Sequence, residues 1–221
     1  MGEAPLLNSK RLKTVRERII DWYEENGRDF SWRSTASPYQ ILIAEVLLRR
    51  TTATAVSRVF EEFIDRFSTL DQLAKARKSS IERSISTLGL QSVRAHHLKE
   101  MAQVILINHD GFIPNDLASL EALPGVGKYA AAAVMNFAFD VPEPMVDGNV
   151  VHLMNRVFSL GISVPVDGKI WEFMKTFGGS QDKRLYWGMI DLVASVCLRR
   201  NPRCNLCPIS ATCDFFTTNP K

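Results

Sequence analysis

Apolar residues recur every three to four positions along almost the whole chain, and no stretch alternates convincingly with period two. A chain patterned this way buries helix faces against one another, so the expected fold class is all-α. Between Leu12 and Glu25 the apolar positions Leu12, Val15, Ile19, Ile20, Trp22 and Tyr23 keep helical spacing, and Gly27 breaks the run. Ser37 followed by Pro38 is a start signal, a capping hydroxyl before a proline at the first helical position. Further helices are expected over Tyr39–Leu48, Thr51–Phe67, Thr69–Ala74, Ser79–Leu88 and Ser92–Ile107. Asp116 caps the next, Leu117–Leu123, and Gly127–Phe139, Asn149–Phe158, Gly168–Phe177 and Lys183–Leu198 complete the set.

The 221 residues suffice for one large domain or two small ones, with 46% hydrophobic and 23% charged residues in ordinary globular balance. No uncharged apolar run approaches the roughly 18 residues of a membrane span. The N-terminal stretch MGEAPLLNSKRLK has no apolar signal-peptide core, so a cytoplasmic location and no membrane partner are expected. Net charge is only +3, yet the segment from Lys75 to Glu100 alone carries +4, with Lys75, Arg77, Lys78, Arg83, Arg94 and Lys99 against Glu82 and Glu100. Such a segment is read as a solvated helix face or as a contact for an anionic partner.

All four cysteines fall near the C-terminus, as Cys197-x6-Cys204-x2-Cys207-x5-Cys213. Clustering of this kind, in a chain too large for a disulfide scaffold, points to a metal, and the spacing leaves zinc and an iron–sulfur cluster both open. The first gap holds Arg199, Arg200 and Arg203, which a metal centre would pin as a loop suited to phosphates. Leu123-Pro124-Gly125-Val126-Gly127-Lys128-Tyr129 joins two helices, with Gly127 at a helix start whose amides and dipole favour phosphate. Two carboxylates stand out. Glu45 interrupts the apolar run Ile41–Leu48; it is either a partly exposed residue of an amphipathic helix or a desolvated acid. Asp147, in Val-Asp-Gly-Asn-Val, is either a helix cap or a second desolvated carboxylate.

Together these motifs resemble the helix-hairpin-helix DNA glycosylase superfamily that carries an iron–sulfur cluster. Leu-Pro-Gly-Val-Gly, Val-Asp-Gly-Asn-Val and the four cysteines occur in the family's order, and Trp32-Arg33, Pro38-Tyr39 and Glu45-Val46-Leu47-Leu48 match the entry segment of its mismatch-specific branch. The resemblance covers about residues 30 to 213. It implies a six-helix lobe over 30–139 carrying the hairpin, and a second lobe made from 1–29 and 140–221. It implies a 4Fe–4S cluster on Cys197, Cys204, Cys207 and Cys213, and an alkali metal ion at the hairpin.

The partner implied is double-stranded DNA containing a mismatch, bound by a monomer. Asp147 matches the catalytic aspartate, which would stabilise an oxocarbenium-like sugar, and Glu45 matches the acid that protonates the leaving base or activates water. Tyr129 stands where the endonuclease III branch has a Schiff-base lysine, which implies a monofunctional glycosylase. Arg50, within Arg49-Arg50-Thr51-Thr52, matches the residue that fills the space of the flipped base. Gly125, Gly127, Lys128, Gln91, Arg199, Arg200 and Arg203 are the remaining duplex contacts. Trp187, where the thymine branch has leucine, is either a core tryptophan or part of the base site. The expected function is removal of thymine or uracil opposite guanine in base excision repair. Adenine removal opposite guanine or 8-oxoguanine is the alternative, disfavoured by the short chain after the cluster, which leaves no 8-oxoguanine-reading domain. A non-catalytic iron–sulfur DNA-binding protein is the alternative outside enzymes.

Overall fold

The computed structural model describes residues 9–178 and 182–219, and among these every regular element is helical. Residues 1–8, part of the stretch read as lacking a signal-peptide core, lie outside the described residues. In chain order the helices are α1 (Ser9–Asn26), α2 (Ser31–Ser34), α3 (Pro38–Leu48), α4 (Ala53–Ser57), α5 (Phe60–Arg66), α6 (Leu70–Lys75), α7 (Lys78–Ser84), α8 (Gln91–Asn108), α9 (Leu117–Glu121) and α10 (Lys128–Ala138). They continue with α11 (Gly148–Phe158), α12 (Gly168–Phe177), α13 (Lys183–Ser195) and α14 (Asp214–Thr218). No described helix is long and apolar enough to cross a membrane.

The chain divides into two compact units. One is the continuous segment Asp29–Val141, holding α2 to α10. These residues form nine α-helices and the 3₁₀ turn Ser86–Leu88. The expected helix Thr51–Phe67 is two, α4 and α5, because the Val59 amide closes a tight bond on Val56 before the ordinary helical ladder resumes at Phe63. Ser79–Leu88 likewise ends in a 3₁₀ turn. At the centre lies α3, whose residues Ile41 to Leu47 are all buried, packed against α8 and α10. Its start is as read: the Ser37 hydroxyl accepts from the Gln40 amide at 3.4 Å, with Pro38 in the first turn. Helices α6 and α7 cover α8, and α9 covers α10.

The other unit is discontinuous, built from the chain up to Arg28 and from Pro142 onward. Here α1 packs on α13, and α11 on α13 and α14. The α1–α13 contact is close because Gly188 has no side chain: a Cβ there would stand 2.8 Å from Ile19 Cγ2. Just past α1, Arg28 fixes this junction. Its guanidinium donates to Asp191 at 2.9 and 2.7 Å and its amide at 2.8 Å, around a carboxylate only 1% exposed. A buried charge of this kind is tolerated because it is fully paired.

Candidate active site and nucleic-acid interface

In the first unit, Glu45 is 6% exposed in the middle of α3, where every residue from Ile41 to Leu47 is buried, so the amphipathic, partly exposed reading is corrected. After α3 the chain turns at exposed Arg50, whose φ of 55° is left-handed. A second left-handed turn, Gly89 and Leu90 with φ of 71° and 51°, leads into exposed Gln91 at the start of α8. The third turn is the glycine hairpin. Gly125 has φ of 82°, and a Cβ there would lie 2.7 Å from His97 Cβ, so both conformation and space demand glycine. Gly127 caps α10 with nothing within 4 Å of a hypothetical Cβ, leaving the helix start open to a ligand. Exposed Lys128 opens α10 and half-buried Tyr129 follows it.

Arg94, one of the six cations of the basic segment, is not a surface charge: it is only 4% exposed. Its guanidinium donates to the carbonyls of Val46 (2.9 Å), Leu47 (3.0 Å) and Arg49 (3.0 Å), which are orphaned acceptors at the end of α3. Arg49 in turn donates to the Gly125 carbonyl at 2.7 Å.

In the second unit, Asp147 is at once the cap and the desolvated carboxylate that the sequence left open. Its Oδ1 accepts from the amides of Asn149 (2.9 Å) and Val150 (2.8 Å) at the start of α11, and Oδ2 from Asn149 Nδ2 at 3.1 Å. Burial pushes its carboxyl above the usual range, against the opposing pull of those amides and the charge of Arg199. The segment leading into it is held by Tyr186, 1% exposed, whose hydroxyl donates to the Glu143 carbonyl (3.1 Å) and accepts from the Met145 amide (3.2 Å). Next to it on α13, Trp187 is half-buried against Tyr23, ring centroids 6.0 Å apart, so it is neither a wholly buried core residue nor a free one.

The four cysteines ring one pocket, closed by Val196, Phe215 and Phe216. Among the described residues no three Cys, His, Asp or Glu side chains converge as they would on a single ion. Burial raises the thiols of Cys197, Cys207 (to about 12) and Cys213, so ligation would have to displace their protons. Arg156, which motif reading missed, lies 4.5 Å over the Phe215 ring, reaches Cys197 Sγ at 3.5 Å, and donates to the Leu198 and Arg199 carbonyls at 2.8 and 3.1 Å. It thereby holds the start of the arginine loop, on which Arg199, Arg200 and Arg203 are all exposed. Arg199 donates to the Gly148 carbonyl at 3.0 Å, beside Asp147.

Comparison with known proteins agrees with this arrangement. Residues 43–186 match the family model described as HhH-GPD superfamily base excision DNA repair protein. A thymine-DNA glycosylase of Aeropyrum pernix is 36% identical over 220 residues, 96% of this chain and 99% of its own. A thymine/uracil-DNA glycosylase of Methanothermobacter thermautotrophicus is also 36% identical, over 94% of this chain and 96% of its own. The solved structure of a thermostable thymine-DNA glycosylase superposes with a TM-score of 0.89 at 36% identity, covering 95% of this chain and 98% of that one.

Proposed function

This chain belongs to the HhH-GPD superfamily of base excision DNA repair proteins, and from that membership we propose that it hydrolyses the N-glycosidic bond of thymine or uracil opposite guanine in duplex DNA. The observation that carries the proposal is Asp147, a carboxylate both desolvated and oriented by two backbone amides. The similarity of thymine and thymine/uracil glycosylases along nearly their full lengths supports the choice of base.

A paired base must leave the stack before a glycosylase can reach its bond, at a cost of a few kcal/mol that a mismatch lowers. Arg50 would occupy the vacated space, its planar guanidinium stacking and offering donors to the orphaned guanine. As the bond lengthens, positive charge grows on the sugar and the fixed Asp147 carboxylate stabilises it, with Oδ1 already committed to amides and so unable to rotate away. Glu45, buried in α3, would deliver a proton to the departing base or take one from water. Tyr129 has no amine, so no Schiff base forms there and the reaction stops at an abasic site.

The cysteine pocket fits the implied 4Fe–4S cluster in its donor chemistry: four thiols line one cavity closed by apolar side chains. Cys197, Cys204, Cys207 and Cys213 would hold it, and when bound it would tether the arginine loop. An alkali ion at the hairpin would have to share carbonyls that already accept bonds, Leu123 from Val126 and Gly125 from Arg49.

Labelled duplexes holding G:T, G:U, A:G and A:8-oxoguanine test the reading. Alkali-dependent cutting of G:T and G:U is expected, with iron and acid-labile sulfide in the purified protein. Cutting of A:G alone would replace it with the adenine reading. No cutting in any duplex would leave a DNA-binding protein, and borohydride trapping would overturn monofunctional hydrolysis.

A further inference from the structure

Three turns of the unit Asp29–Val141 carry candidate DNA contacts: Arg50 after α3, Gln91 after Gly89-Leu90, and the hairpin with Gly127 and Lys128. They are distant in sequence, yet two arginines and a histidine join them. Arg94 Nη1 donates to the Val46 and Leu47 carbonyls, and Nη2 to those of Arg49 and, at 3.5 Å, Gly89. One guanidinium therefore holds the last turn of α3 and the Gly89 turn together. Arg49, to whose carbonyl Arg94 donates, extends its own side chain to the Gly125 carbonyl. One helical turn beyond Arg94 on α8, His97 lies against Gly125.

The arrangement is unfavourable taken alone. Arg94 is buried without a carboxylate, its Nε has no partner among the described residues, and burial together with Arg49 lowers its affinity for its proton. Arg50 and Leu90, neither a glycine, hold left-handed conformations on either side of it. Strain of this kind persists only where surrounding structure imposes it. Leu90 is also 53% exposed, so burial of its side chain does not offset the strain.

We infer that Arg94 is a positioning residue that holds the Arg50 turn, the Gly89–Gln91 turn and the glycine hairpin in one register, and that base extrusion depends on this register. The inference rests on the glycosylase reading for what the turns contact. A guanidinium is required because its planar fork spans four carbonyls at once. A lysine keeps the charge and reaches them from a single point.

The test compares Arg94→Lys with its parent, both carrying Asp147→Asn to hold the chemistry still. Extrusion is read from the fluorescence of 2-aminopurine beside the target of a G:U duplex, and general affinity from a fully paired duplex. Arg94→Lys should lower the extrusion equilibrium about tenfold while paired-duplex affinity stays within about twofold. A second measurement needs no change at Arg94. In the parent, Arg50→Ala and Gln91→Ala should be coupled by about threefold or more in affinity for the G:U duplex, because one group positions both. In Arg94→Lys they should become additive. Parent-like extrusion by folded Arg94→Lys, or additive effects already in the parent, would overturn the inference. A parent that extrudes no base from any duplex would instead defeat the glycosylase reading, and the coupling measurement would still judge Arg94.

Discussion

Asp147 shows how one side chain serves fold and chemistry with opposite demands. Its folded-state pKa lies above the unfolded value, burial outweighing the amides and Arg199. Such a group contributes stability that is full below its unfolded pKa and lost as pH rises through the folded one. Above its folded pKa the ionised carboxylate is therefore a liability to the fold, retained where charge must meet a developing cation. Asparagine can accept the same two amides without carrying the charge. Asp147→Asn should lower single-turnover base release by on the order of 10³-fold. It should also raise the melting temperature at pH 7.5, with the gain shrinking toward pH 4. A variant less stable than wild type at both pH values, or one releasing base within tenfold of it, contradicts this account. The type and position of both acids are readable from sequence, since an acid in an apolar run and an acid before a helix are local patterns. The surroundings of Arg94 and Arg156 are not. Each answers to carbonyls distant along the chain, from Val46 in one case and Leu198 in the other, and no local pattern distinguishes them from solvated arginines.

Among elements, the glycine hairpin is the one whose two glycines do different work. Gly125 is left-handed and pressed against His97, whereas Gly127 has φ of −115° and open space. Gly125→Ala should cost about 1–3 kcal/mol, a fall of roughly 3–10 °C in melting temperature for a chain this size. Gly127→Ala should leave the melting temperature within about 1–2 °C and weaken duplex binding, because a methyl there obstructs a phosphate approaching the α10 amides. Calorimetry and duplex titration of the two variants check the contrast; equal losses of stability would refute it. The long helices follow from periodicity and caps, as at Ser37 and at Asp116, whose side chain accepts from the Ser119 amide at 2.8 Å. The break between α4 and α5 does not, because tightening one hydrogen bond at Val59 shifts the apolar stripe too little to disturb its spacing. Helices α2 and α14, of four and five residues, are shorter than two turns and so carry no period to detect.

At the scale of the whole molecule, a net charge of +3 says little about affinity for DNA, because what matters is where exposed cations stand. Much of the basic segment from Lys75 is not free for a polyanion. Lys75 pairs with Asp71 at 2.8 Å, Lys78 with Glu82 at 3.8 Å, half-buried Lys99 turns to the Ala76 carbonyl and Arg94 is buried. The exposed cations among the proposed contacts are Arg50 and Lys128 in one unit and Arg199, Arg200 and Arg203 in the other. If the four besides Arg50, which enters the base stack, meet phosphates, the logarithm of the association constant should fall with the logarithm of salt concentration at a slope of about −3.6. The arginine loop alone would give a slope of about −2.7. Arg200→Ala should then make the slope shallower by about one and weaken matched and mismatched duplexes alike, since a phosphate contact carries no sequence information. Equilibrium titrations from 50 to 400 mM salt decide the matter. A slope shallower than about −1 in the wild type would mean that neighbouring acids cancel these charges, and would remove the arginine loop from the DNA interface.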